Sequence, residues 1–345
     1  MSKLGKIRIA TSSYHVGHAT APTLALEKGF FRQEGLDNFE LLLEGLIPPS
    51  VEKLGLFATM KQRGVEIVLG AKAGSVFSLN SQGADLYIVS CWRFASRVEW
   101  YARPEVKGFR DLRGKKIGIR ETGGISYAVI SSELRKAGLD PQRDVQWVLD
   151  PIFAYHDTRD HADAMREGRV DCAASSPPFS LDLKKSGYPV LLSTKQLYPE
   201  GRPERVIAAR GVMTEEKKDD LKNFLKAILR AFWFERNPDN FPYLTEMEKR
   251  LREASPSEDE RALRKTNSAE RFEGRSLPVD GRAPLGGLRQ IADEMKMTGE
   301  LRPDFSVEGA LRDEIVQEAF QELRSRKGLE TEWRRVCEIV EKWGY

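Results

Sequence analysis

Five short segments of this chain could each meet a small polar ligand, because each combines hydroxyl groups, glycine or a cation where an apolar run ends. They are Ser12-Ser13-Tyr14-His15, Glu44-Gly45-Leu46-Ile47, Ala71-Lys72-Ala73-Gly74-Ser75, Thr122-Gly123-Gly124-Ile125-Ser126 and Ser175-Ser176-Pro177-Pro178-Phe179. Glycine and small hydroxyl residues let backbone N–H groups approach an anion closely, and a helix that starts there adds the positive end of its dipole. Ser and Thr also cap most helices, so the weight lies in five such loops at equivalent positions rather than in any one. A different chemistry is suggested by Trp92, Arg93, Arg97 and Trp100: a guanidinium beside a ring can clamp a carboxylate and stack an aromatic. Surface arginines beside core aromatics are the plainer alternative, and Arg93 alone is kept as a candidate contact.

Two other clusters invite a metal reading and do not sustain it. Asp157 and His161 lie four apart and would share a helix face, but a capping residue followed by acids in a first turn explains the same pattern. His15 and His18 are treated likewise, although His15 sits in a candidate ligand loop. The three cysteines, Cys91, Cys172 and Cys337, are far apart and form no CxxC pair; they read as small buried apolar side chains. No metal and no cofactor are expected.

The elements that must position these loops alternate between strand and helix. Ile7 to Thr11, Phe39 to Leu43, Val65 to Leu69 and Leu86 to Ser90 read as strands, with helices from Ala19 to Gln33 and from Pro48 to Met60 between them. A second series repeats the pattern: strands at Lys115 to Ile119, Val145 to Val148, Val170 to Ala174 and Val190 to Leu192, with helices from Gly123 to Ala137 and from Arg159 to Glu167. Such alternation argues for parallel βαβ units, and open parallel sheets bind ligands beyond the carboxyl ends of their strands. After Val206 to Ala209 the chain turns almost wholly helical: Glu215 to Phe234 places Leu221, Phe224, Leu225, Ile228, Leu229 and Phe232 at three- and four-residue spacings. Glu258 to Arg282 reads as polar loop, and Gly286 to Met297 and Val307 to Arg326 as helices.

The bulk numbers narrow the class. With 345 residues, two domains are the natural expectation. Hydrophobic residues make up 40% and charged residues 31%, a soluble globular balance. A net charge of +3 from 55 basic and 52 acidic side chains gives no reason to expect nucleic acid as partner. No apolar run approaches the ~20 residues of a membrane-spanning helix. Met1 to Lys6 runs straight into a strand without an apolar signal core; as written the chain reads as cytoplasmic, and as periplasmic if its start is trimmed or misassigned.

Three strings carry a family resemblance. Ala25 to Leu36 (ALEKGFFRQEGL), Phe109 to Ile119 (FRDLRGKKIGI) and Glu167 to Ala174 followed by Ser176-Pro177-Pro178 resemble, in order and spacing over roughly residues 6 to 235, the SsuA/THI5-like (NMT1-like) substrate-binding proteins of ABC transporters. The resemblance implies an α/β, two-lobed type II periplasmic-binding-protein fold with mixed, mostly parallel sheets and a helical C-terminal extension. Residues 1–97 and 208–345 would form lobe one, 98–207 lobe two, and the ligand cleft would lie between them. It further implies Ser12, Ser13, Tyr14, Lys72 and Ser75 as ligand contacts from lobe one and Thr122, Gly123, Gly124, Ser126 and Ser176 from lobe two; Ser13 and Gly124 are the amides best placed for an anionic end, and His15 in its loop and Arg93 beside the crossover join them by position in the sequence alone. The departure from the family is Leu46-Ile47-Pro48-Pro49, with Leu54, Leu56 and Phe57, where polar residues are usual; this could wall the cleft for an aromatic ligand.

The function so implied is capture of a small organic anion or aromatic molecule, a sulfonate, carboxylate or pyrimidine-like compound, for an ABC permease, by a chain acting as a monomer. The alternative is a cytosolic enzyme on the same fold. Pyrimidine-synthase relatives carry a CCCFC motif absent here, and desulfinase-like relatives carry a cysteine where this chain has Ser12, Ser13 and Tyr14. A Schiff base on Lys72 in an apolar cleft stays open. An interaction module built on the charged helices from Arg312 to Lys342 has an ordinary solvated surface as its simpler explanation.

Overall fold

The structure, a computed structural model, describes residues 6–12, 16–43, 55–94, 98–119, 125–150, 160–175, 179–254, 278–297 and 299–343. The chain divides into two compact units, Met1–Ala95 with Glu200–Tyr345 and Ser96–Pro199.

The first unit is built on a five-stranded sheet. Its strands are β1 (Ile7–Thr11), β2 (Phe39–Leu42), β3 (Ile67–Lys72), β4 (Leu86–Phe94) and, from the far end of the second unit's sequence, Pro203–Arg210. β1 runs parallel to β2 and β3, and Pro203–Arg210 lies antiparallel between β3 and β4. The carboxyl ends of β1 to β4 therefore share one edge with the start of Pro203–Arg210. Side chains alternate in the way a sheet covered on both faces demands. Ile7, Ile9, Ile67, Leu69, Ile207 and Ala209 enter one core, and Ala10, Val68, Val206 and Ala208 enter the other. Helices Val16–Glu27, Lys218–Arg236 and Glu314–Arg324 contribute to the first core, and helices Leu56–Arg63, Ala73–Ser81 and Leu285–Met297 to the second. Leu56 and Phe57 pack partly buried against that second core. The helical C-terminus thus closes both faces of the first sheet.

The second unit repeats the plan. Its strands are β5 (Glu99–Ala102), β6 (Lys116–Ile119), β7 (Gln146–Leu149), β8 (Cys172–Ser175) and β9 (Val190–Ser193), in the order β7-β6-β8-β5-β9; the closing strand of the first unit, Pro203–Arg210, is β10. β6 is parallel to β7 and β8, and β5 runs antiparallel between β8 and β9. In each sheet four strands point one way and one, entering late or early from the other series, points back.

Most described strands and helices fall where periodicity put them, with differences. β3 runs on to Lys72, and of the helix expected over 307–326 only Glu314–Arg324 forms, after a short helical turn at Glu308–Ala310. β5 occupies a stretch read as crossover. The helix expected over 19–33 is split, because Gly29 adopts φ 69 after Glu27 and a short helix Phe30–Gln33 follows. The return to the first unit comes earlier than residue 208: β10 pairs with β3 and β4 from Pro203 onward, so residues 203–207, counted with lobe two, lie in the first sheet.

Candidate functional site

The site begins with an irregularity in β3. Val206 pairs with Ala71 and Ile207 with Leu69, so Gly70 is the extra residue of a β-bulge. Gly70 holds φ 72, a left-handed conformation that glycine adopts without steric cost. A methyl group at its Cα would lie 2.8 Å from the buried ring of His18. The bulge turns the Gly70 carbonyl out of the ladder, and two side chains take it: Ser12 Oγ donates to it at 2.8 Å and Arg205 Nη1 at 3.3 Å. Ser12 also extends the β1–β3 ladder, its N–H reaching the Leu69 carbonyl at 2.8 Å.

Beyond this carbonyl the sheet edge is cationic. Arg205 on β10 lies directly opposite Lys72 on β3 and opposite Arg93 on β4. Lys72 is exposed and immediately precedes helix Ala73–Ser81; Ser75, also exposed, is in its first turn. Arg93 and Arg205 are half-buried. Among the described residues neither Lys72 nor Arg205 meets a carboxylate, and Arg205 Nε is buried without a hydrogen-bond partner. Like charges directly opposite one another in a sheet are unfavourable, so this edge is arranged at a cost to stability.

Of the predicted contacts, the structure thus brings Ser12, Lys72, Ser75 and Arg93 to the carboxyl edge of the first sheet. Ser13, Tyr14, His15, Thr122, Gly123, Gly124 and Ser176 lie outside the described residues, as do the Leu46 to Leu54 wall and Asp157. Ser126 is in helix Ile125–Lys136 of the second unit. The neighbour of Ser176 is informative: Ser175, last residue of β8, is fully buried, and its hydroxyl has no partner among the described residues. Lys72 stands in solvent rather than in an apolar cavity. Arg205 was missed by sequence reasoning because it sits in what reads as a connecting segment; its only signal was a basic residue leading into the Val-Ile-Ala-Ala run.

Several alternatives resolve as core. Trp92 is buried against Phe232, ring centroids 5.3 Å apart, and Trp100 is buried in the core of the second unit, so neither ring flanks Arg93 as a clamp. His161 is buried, with Nδ1 against the Ala174 carbonyl, and packs its helix, Asp160–Arg166, onto β8. No group of three or more metal-ligating side chains occurs among the described residues. Cys91 and Cys172 are fully buried. Burial, with Asp171 nearby, pushes the Cys172 thiol up to about 12, and burial beside Asp280 raises the Cys91 thiol well above the ordinary range. Neither thiol has the electropositive, accessible setting of a nucleophile. Among the described residues no helix is long and apolar enough to cross a membrane.

Comparison with known proteins places this architecture. The chain is similar to the periplasmic sulfonate-binding protein SsuA of Methylobacillus flagellatus KT, at 18% identity and TM-score 0.60 over 95% of this chain and 97% of that one. It is similar to a mutant of DSZB in complex with biphenyl-2-sulfinic acid, at 13% identity and TM-score 0.59 over 92% and 99% of the two chains, and to the desulfurization enzyme DSZB, at 14% identity and TM-score 0.56 over the same shares. The periplasmic aliphatic sulphonate-binding protein SsuA of Escherichia coli follows at 19% identity and TM-score 0.51, over 90% and 92%. No curated protein matches by sequence. At such identities the likeness establishes the fold, that of the periplasmic binding proteins. The model of the NMT1-like family matches residues 57–247, more than half of the sequence, and the chain belongs to the NMT1-like family.

Proposed function

We propose that the protein is a solute-binding protein that captures a small organic ligand, anionic or aromatic, and delivers it to an ABC importer. The observation that carries this reading is the carboxyl edge of the first sheet, where Ser12 holds the Gly70 carbonyl and Lys72 and Arg93 lie on either side of the start of β10. That is where open α/β sheets take ligands, and its cations, of which Lys72 meets no carboxylate among the described residues, suit an oxyanion. The reading assigns further contacts to Ser13, Tyr14 and His15 of the first unit and to Thr122, Gly123, Gly124, Ser126 and Ser176 of the second. It treats closure of the two units on the ligand as the signal to the permease. Sulfonates, carboxylates and pyrimidine-like compounds are the classes of choice; the sulfonate-binding proteins of the same fold support the first.

The buried, unreactive Cys91 and Cys172 favour binding over thiol chemistry. A thermal-shift screen of the full chain against aromatic and aliphatic sulfonates, carboxylates and pyrimidines tests the proposal. A ligand at 100 times its Kd stabilises the native state by about 2.7 kcal/mol, roughly 5–10 °C for units of this size. A shift that survives in Ser13→Trp would contradict the assigned site. A panel that leaves the melting temperature unmoved throughout would contradict the function.

A further inference from the structure

At the amino edge of the first sheet Arg8 on β1 meets Glu40 at 3.1 Å and Lys217 meets Glu66, just before β3, at 2.7 Å, while Arg210, which ends β10 there, has a buried Nε without a hydrogen-bond partner. At the carboxyl edge Arg205 faces Lys72 across one ladder and Arg93 across the other, and neither Arg205 nor Lys72 has a carboxylate among the described residues. A guanidinium offers five N–H donors in a fixed plane. In Arg205, Nη1 is committed to the Gly70 carbonyl, while Nε is buried with no partner. Among the described residues no acceptor meets the Nε–Nη2 side of the plane. That side presents two parallel N–H bonds, the geometry that matches two oxygens of one carboxylate or sulfonate. The Gly70 carbonyl fixes the orientation of the plane, and the bulge, the positive φ and the His18 ring fix the carbonyl.

We propose that Arg205 is the anion anchor of the binding site, holding one oxyanion group of the ligand on its Nε–Nη2 side with Lys72 as the second positive charge. This rests on the solute-binding reading above and narrows it to ligands that carry a fully ionised oxyanion. A neutral aromatic would leave Arg205 and Lys72 facing each other with no carboxylate among the described residues, which selects against it.

The test is titration calorimetry on the full chain with benzenesulfonate, benzoate and uncharged benzenesulfonamide. The expected result is that Arg205→Gln weakens both anions about 30-fold or more and the sulfonamide by less than about threefold. Arg205→Lys, which keeps the charge and loses the planar fork, weakens the anions about fivefold or more. Without ligand, Arg205→Gln melts at or above wild type, because one of the two like charges facing each other across the β3–β10 ladder is gone. If Arg205→Gln binds the anions as wild type does, the anchor is wrong and the solute-binding function stands. If wild type binds only the sulfonamide, or none of the three, the anchor is again wrong, and the function falls only if the broad thermal-shift panel fails as well. If the ligand-free Arg205→Gln chain melts well below both wild type and Arg205→Lys, the residue is a structural support and the anchor is overturned.

Discussion

Ser12 and Arg205, 193 positions apart in sequence, donate to a single acceptor, the Gly70 carbonyl, from the two strands that flank β3. One residue with a left-handed backbone thereby ties the first strand of the chain to the strand that returns from the second unit. The candidate site is assembled around that joint.

Gly70→Ala should be strongly destabilising. The methyl must be held at φ 72 and must displace the His18 ring from 2.8 Å; backbone strain and overpacking each cost about 1–3 kcal/mol. Urea unfolding should report a loss of about 2–5 kcal/mol. Adding His18→Ala to Gly70→Ala should recover the overpacking part only. A Gly70→Ala chain as stable as wild type would mean that the bulge is not formed as described.

Glu34 should carry part of the acid stability. Its side chain is fully buried, which alone would raise its pKa, but hydrogen bonds and charges from Arg326 and Arg230, at 2.6 and 2.9 Å, outweigh burial and hold it below the ordinary value. A carboxylate depressed in the folded state stabilises above its unfolded pKa and loses that contribution as pH falls through the folded one. Glu34→Gln should therefore cost about 3 kcal/mol at neutral pH, leaving buried cations uncompensated. It should also lose less stability than wild type on acidification below about pH 4.3, the unfolded glutamate value. Denaturant midpoints measured from pH 7 to pH 3 check both.

Thiol reactivity should separate Cys337 from the other two cysteines. Cys91 and Cys172 are fully buried, and Cys172 is pushed up to about 12, whereas Cys337 is half-buried on the C-terminal helix Glu330–Trp343. A thiol with that pKa is only about one part in ten thousand thiolate at pH 8. Iodoacetamide on the native chain should label Cys337 alone, and all three after unfolding; mass analysis of tryptic peptides reads the result. Native labelling of Cys172 would reopen a thiol chemistry.

Most of the fold was legible because strand alternation and helical spacing are local. Ile7 and Ile9 against Ala10, or Ile207 and Ala209 against Val206 and Ala208, announce a sheet covered on both faces. What was hidden depends on pairing at long range. β5, only Glu-Trp-Tyr-Ala, becomes a strand by lying between β8 and β9, and nothing in four residues says so. β3 reads as ending at Leu69, since glycine normally punctuates a strand; in the structure Gly70 is a bulge within it, and the strand continues to Lys72. For the same reason Lys72 was legible as a loop cation, while Arg205, its neighbour across the ladder, was not. The site residues named from sequence were those on strand-to-helix turns, where hydroxyls and glycines cluster; a strand that enters the sheet in reverse brings its contact at its start.

The central claim is that this chain holds an organic oxyanion and returns it unchanged. Equilibrium dialysis of the full chain against the anion that stabilises it most, with mass analysis of both compartments after prolonged incubation, tests this most directly. One ligand retained per chain, with its mass unaltered, is the expected result. Recovery of a ligand of different mass, or retention no greater than that of an uncharged analogue, would contradict the account.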